Sequence, residues 1–166
     1  MQFSLYLDNV LLKSTDYMSH YIDVHHHIIP PCYREALEKK FGLNQSGNIQ
    51  LPQWSAAGVK FPEWSWESSQ HLMQKHHIQS AITSISSPGV YFGDIAFAIR
   101  LARECNEYAA EMSEAQPHTY GAFATLPLPD IKAALTELDH ALDQLKMDGI
   151  VLLSNYDSAL LGNEHF

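Results

Sequence analysis

Two spacings of apolar residues take turns along this chain, one with the two-residue period of a strand and one with the longer period of a helix. Tyr21-Ile22-Asp23-Val24-His25 is apolar and β-branched, then becomes histidine-rich until Pro30-Pro31. It reads as a strand near 21–26. Pro31 suits the first residue of a helix, where a missing N–H goes unnoticed, and the helix continues from Cys32 to Lys40 with Gly42 as its stop. Residues 43–66 contain Asn44, Gly47, Pro52, Gly58 and Pro62 and keep no period, so they read as a long loop. Its tryptophans Trp54, Trp64 and Trp66 either pin the loop to the body or line a site, and burial is the favoured role for such rings. Glu67 to His76 is a short helix with Ser65 as N-cap, and His77 stands where a left-handed residue ends it.

Ser80 to Ser86 is a second strand, and Ser87-Pro88-Gly89 turns the chain away from it. Ile95, Ala98, Leu101, Ala102, Cys105, Tyr108, Ala109 and Met112 then recur at helical spacing, with charged residues between them. Thr119 to Thr125 is a third strand. Asp130 caps a helix whose apolar face is Ile131, Ala134, Leu135, Leu138, Leu142 and Leu145. Gly149 to Leu153 is apolar on both faces, as buried parallel strands are. Strand and helix therefore alternate, which predicts an α/β fold with a parallel sheet of four strands, about half of a (β/α)8 barrel. The 166 residues fall short of the ~250 of a complete barrel.

Composition narrows the function. Hydrophobic residues make up 46 % and charged residues 17 %, an ordinary globular balance. The formal net charge of -9 and the lack of a Lys/Arg cluster argue against nucleic acid as a partner. No apolar run reaches the ~18 residues of a membrane span, and the start has no basic segment of a secretory signal. Cys32 and Cys105, outside any C-x-x-C, suit free thiols in a cytoplasmic protein. Residues 1–19 read as an extension ahead of one domain over 20–166.

The chemistry concentrates in Asp23-Val24-His25-His26-His27. Alternation across a strand places Asp23, His25 and His27 on one face, with Ile22, Val24 and His26 on the other, packed outward or at the rim. His25 and His27 lie at the C-terminal end of their strand, where barrel enzymes place their chemistry. Two imidazoles at this spacing can share one Zn²⁺ or another divalent ion. Asp23 either orients a ligand from behind it or satisfies backbone donors. Candidate rim residues for substrate follow the other strand ends: Ser86, Asn155 and Tyr156, with Trp54 from the loop. Turn-forming is the plainer role for most of them.

Ile22 to Pro30 resembles the first-strand signature of the amidohydrolase-related superfamily, in particular the branch of aminocarboxymuconate-semialdehyde decarboxylase and related carboxy-lyases. Ser84 to Gly89, Ala102 to Asn106, Gly121 to Pro127, Gly149 to Tyr156 and Leu161 to Phe166 are similar in the same order. The resemblance implies a metal-dependent TIM barrel in which His25 and His27 are the first two metal ligands, usually of zinc. The later ligands, a histidine and an aspartate, are expected beyond Phe166. It also implies a small carboxylate-type substrate and either nonoxidative decarboxylation or hydrolysis. The expectation for this chain is a truncated N-terminal half, inactive alone. The alternatives are a non-catalytic half-barrel that forms a homodimer, one that pairs with a separate C-terminal half, and a TatD-like nuclease.

Overall fold

A computed structural model describes residues 21–51, 61–156 and 159–164. Trp54 and the 1–19 extension lie outside these residues. The described elements, in chain order, are β1 (Tyr21–Ile28), α1 (Pro31–Phe41), α2 (Trp66–Lys75), β2 (Ile78–Ile85), α3 (Ile95–Ala115), β3 (Tyr120–Ala124), α4 (Ile131–Asp139), β4 (Gly149–Ile150), β5 (Asn155–Tyr156) and β6 (Ala159–Leu160). Strands β1 to β4 form one parallel sheet in chain order, the expected arrangement of a partial barrel. β5 and β6 add a small antiparallel hairpin that the polar tail did not suggest.

Local chemistry sets the element ends. Gly42, at φ 73, closes α1 with its N–H on the Glu38 carbonyl at 2.8 Å. Ser65 and Ser68 form a reciprocal capping box at the start of α2. His77 takes the left-handed conformation foreseen for it, at φ 56. Asp94 caps α3 through the Phe97 N–H, and Asp130 caps α4 through the Ala133 N–H. α4 does not run smoothly to Leu145 as its apolar face suggested. It passes into one π-helical turn over His140–Gln144.

The main core lies between the sheet and its helices. It contains Tyr33 and Leu37 of α1, Met73 of α2, Ala81 and Ile85 of β2, and the buried face of α3, from Ala98 to Met112. Trp64 meets Tyr108 edge-on and Trp66 meets Tyr120, each with ring centroids 6.2 Å apart, so these two tryptophans do pin the loop.

Two departures from the sequence reading matter, and one contact that it did not address. Ile22 and Val24 are exposed at 67 % and 65 %, not packed on helices, because β1 is the edge of the described sheet. β4 is only two residues long: Val151 N–H reaches Ala124 O, but Leu153 N–H turns aside to the Tyr156 hydroxyl at 3.1 Å. Asp148, just before β4, bonds Ala122 twice. Its N–H donates to Ala122 O at 2.9 Å, and its Oδ2 accepts Ala122 N–H at 2.8 Å. Gly121 leaves the room for that carboxylate, since a Cβ there would stand 2.5 Å from Asp148 Oδ2.

Candidate metal centre

The site is built on the end of β1, and β1 is not a regular strand. Its pairing with β2 slips between Asp23 and His26: three steps along β1 match the two from Ala81 to Thr83. That is a bulge, which inserts a residue and re-aims the side chains around it. Asp23 braces it. One carboxylate oxygen accepts the His25 N–H at 3.0 Å and the other accepts His26 Nδ1 at 3.0 Å. Burial pushes the Asp23 carboxyl up. The His25 N–H, the His26 ring and the charges of both histidines outweigh that and hold it below the ordinary carboxylate value.

Past the bulge, successive histidines face opposite ways. His26 turns to the helical layer and is 6 % exposed, with Nε2 2.7 Å from Ser69 Oγ of α2. It is therefore a buried outer residue, not an exposed rim one. His25 and His27 share the opposite, open side. Their Nε2 atoms are 2.9 Å apart and their rings meet edge to face at 4.6 Å.

The tautomer of His27 follows from its partners. Nδ1 points at the Ser84 carbonyl at 3.4 Å and at Ser84 Oγ at 3.3 Å. A carbonyl only accepts, so Nδ1 carries the proton and the Nε2 lone pair is free to face His25. Burial holds His27 below the usual histidine value, against the Ser84 bond that raises it and together with the lowering influence of His25 and His26. The ring is thus neutral near pH 7, the form that binds metals.

The donor set and its spacing fit a divalent ion. Two nitrogens ~2.0–2.1 Å from a shared ion stand ~2.9 Å apart at a right angle and ~3.4 Å apart at the tetrahedral angle. The observed 2.9 Å matches the first and needs ~0.5 Å of opening for the second. Among the described residues no cluster of three or more His, Cys, Asp or Glu completes the set.

Of the remaining candidates, Ser86, Asn155 and Tyr156 lie among the described residues. Ser86 follows β2, and its carbonyl accepts the Tyr33 hydroxyl at 3.1 Å. Asn155 and Tyr156 line a cleft of about 890 Å³ with Ser87, Tyr91, Phe92 and Lys40. Tyr156 is 8 % exposed and packs on Leu126, Leu128 and Ala134. Sequence reasoning passed over Asn106, which is 1 % exposed on α3. Its amide accepts Thr125 N–H at 2.9 Å and donates to Thr125 O at 3.0 Å and Glu137 Oε1 at 2.8 Å. It thereby fixes the residue just after β3. A polar residue on an otherwise apolar helical face was the available signal.

A parallel sheet of four strands in chain order, with helices between them, defines a partial (β/α)8 barrel. The chain belongs to the amidohydrolase family, whose model matches residues 22–164. It is 39 % identical over 149 residues to 6-methylsalicylic acid decarboxylase of Aspergillus aculeatus, covering 87 % of this chain and 42 % of that one. It is 33 % identical over 129 residues to gamma-resorcylate decarboxylase of Rhizobium radiobacter, covering 70 % of this chain and 37 % of that one. The chain spans about two-fifths of the length of these curated relatives. Among solved structures, an amidohydrolase II is 30 % identical with a TM-score of 0.74, over 87 % of this chain and 44 % of its own. The fold is shared with a dihydroxybenzoic acid decarboxylase from Polaromonas that holds bound manganese and the inhibitor 2-nitroresorcinol. There the identity is 24 % and the TM-score 0.55, over 80 % of this chain and 38 % of that one.

Proposed function

We propose that this chain supplies the two-histidine part of a divalent-metal centre in a nonoxidative decarboxylase of small aromatic carboxylates. The observation that carries the reading is the pair of Nε2 atoms 2.9 Å apart on the open side of β1. The decarboxylases of 6-methylsalicylic acid and gamma-resorcylate among its relatives support the substrate class. In such a reaction the bond from ring carbon to carboxyl breaks, CO₂ leaves, and the ring carbon takes a proton. His25 and His27 would hold the ion, which would supply Lewis-acid stabilisation of substrate oxygens when bound. Ser84 keeps the His27 lone pair outward, and Asp23 keeps the His25 backbone in place. Zinc is the default ion for such nitrogens, and manganese is the other candidate, on the strength of the Polaromonas structure.

Two nitrogens are half of a tetrahedral set, so further donors come from outside the described residues. A separate C-terminal half or a second copy of the chain is the kind of partner that would supply them. The exposed Tyr21, Ile22 and Val24 on the β1 edge favour such a partner. Residues 20–166 act as one domain behind a 1–19 extension. Localisation in the cytoplasm is part of the same proposal, since the free thiols Cys32 and Cys105 suit a reducing compartment; no described helix is long and apolar enough to cross a membrane.

The test is titration of the chain with Zn²⁺ and Mn²⁺, beside CO₂ release from 6-methylsalicylate and 2,6-dihydroxybenzoate. Binding is expected to fall at least tenfold in His25→Ala and in His27→Ala. Turnover by the chain alone is expected to be slight. Unchanged ion binding in both variants refutes the reading.

A further inference from the structure

We infer that Ser69 and His26 are positioning residues for the His25–His27 pair, holding it from the helical side of the sheet through Asp23. The inference rests on the metal-centre reading above. Its geometric basis is a continuous chain of polar contacts that crosses from α2 to β1. Tyr120 OH of β3 lies 3.3 Å from Ser69 Oγ, Ser69 Oγ lies 2.7 Å from His26 Nε2, and His26 Nδ1 lies 3.0 Å from Asp23 Oδ2. The other Asp23 oxygen takes the His25 N–H at 3.0 Å. Directions agree along its length in the neutral imidazole: Tyr120 donates to Ser69, Ser69 to His26, His26 to Asp23.

The chain ends on the residue whose placement matters most. His25 sits inside the slipped segment between Asp23 and His26, where the ladder to β2 is interrupted. A bulged residue has no cross-strand partner of its own, so the Asp23 carboxylate substitutes for the missing neighbour. That carboxylate is in turn held by His26, and His26 by a serine 43 residues further on. Ser69 lies one residue beyond the capping box of α2, so its own position is fixed by the helix start. The three histidines thus divide the work: two face the open side, and the middle one anchors the backbone they share.

Asp23, His26 and Ser69 are also the residue types of a nucleophilic triad. Burial excludes that role. Ser69 is 3 % exposed, and its hydroxyl is enclosed between His26 and Tyr120, so no substrate carbonyl reaches it.

The experiment is Co²⁺ and Mn²⁺ titration of the full chain in wild type, Ser69→Ala, Ser69→Thr and His26→Gln, with Asn106→Ala as a destabilised control whose hydrogen bonds, to Thr125 and Glu137, are separate from this polar chain. The visible Co²⁺ band reports ligand geometry, and long-range ¹H–¹⁵N spectra of the metal-free imidazoles report the His25–His27 contact without any ion. Ser69→Ala is expected to weaken ion binding by ~10–100-fold, the usual effect of losing an outer support. It should also shift the Co²⁺ band and alter the metal-free His25 and His27 signals. Ser69→Thr keeps the hydroxyl and should recover most of the affinity. Unchanged affinity and imidazole signals in Ser69→Ala overturn the inference, as does an equal loss of affinity in Asn106→Ala. If wild type binds neither ion, the metal reading itself fails, and the metal-free spectra still decide whether Ser69 positions the pair.

Discussion

Replacing Asn106 with alanine should destabilise the chain more than most single truncations. The amide makes three buried hydrogen bonds, two with the backbone of Thr125 and one with Glu137 Oε1. Truncation leaves the Thr125 N–H, the Thr125 carbonyl and one oxygen of a carboxylate that is 2 % exposed without those partners. Each orphaned buried group costs ~1–3 kcal/mol. Water entering the vacated space recovers part of that, so the net loss is ~3–5 kcal/mol, a large share of a typical stability of ~5–15 kcal/mol. The Arg103–Glu137 ion pair, at 2.8 Å, remains and limits the damage at the carboxylate. Urea unfolding followed by circular dichroism and tryptophan fluorescence measures this, with an unchanged m-value as the condition for comparison. Asn106→Asp should lose more than Asn106→Ala, because it removes both N–H donors and sets a second carboxylate against Glu137. A loss under about 1 kcal/mol in Asn106→Ala, or an aspartate tolerated as well as asparagine, would refute the reasoning.

Three further outcomes are expected. Iodoacetamide at pH 8 should label Cys32 well ahead of Cys105: a hydrogen bond between the two free thiols lowers Cys32, and the same hydrogen bond and burial raise Cys105. Peptide mass mapping checks this, and preferential labelling of Cys105 contradicts it. Tyr33→Phe should cost ~0.5–1.5 kcal/mol by removing the hydroxyl's bond to the Ser86 carbonyl, which keeps the Gly89 N–H as a donor at 3.0 Å. Burial raises Tyr33 above its unfolded value, so its contribution is full below ~pH 10 and is lost as pH climbs beyond. Tyr33→Phe should therefore flatten the alkaline limb of a stability–pH curve, and an unchanged limb counts against the assignment.

The strand–helix order, the caps at Ser65 and Asp130 and the left-handed His77 were legible because each is decided by residues close together in sequence. The pairing of His25 with His27 was legible for the same reason, as a two-residue period. The bulge was not, because it exists only against the register of β2. His26 was read as an outer or rim residue, and the choice stayed open because alternation tells which side a side chain takes but not what covers that side; Ser69 of α2 supplies the cover and makes it a buried outer residue. Asn106 hid in an apolar helical face because both of its partners, Thr125 and Glu137, lie on later elements. β4 proved shorter than its apolar run because the Tyr156 hydroxyl captures the Leu153 N–H, a bond no periodicity reveals.

The fit of Asp148 into the notch over Gly121 limits the order in which these two positions can change. Any side chain at 121 collides with the carboxylate and with the end of Ile82 while aspartate stands at 148. Changing Asp148 first removes the collision with its carboxylate but deprives Ala122 N–H of its acceptor. Each step alone is expected to lower stability, the first through the clash and the second through the lost acceptor for Ala122 N–H. Divergence through this part of the barrel should therefore carry the two positions as a correlated pair, with Gly121→Ala epistatic to the residue at 148.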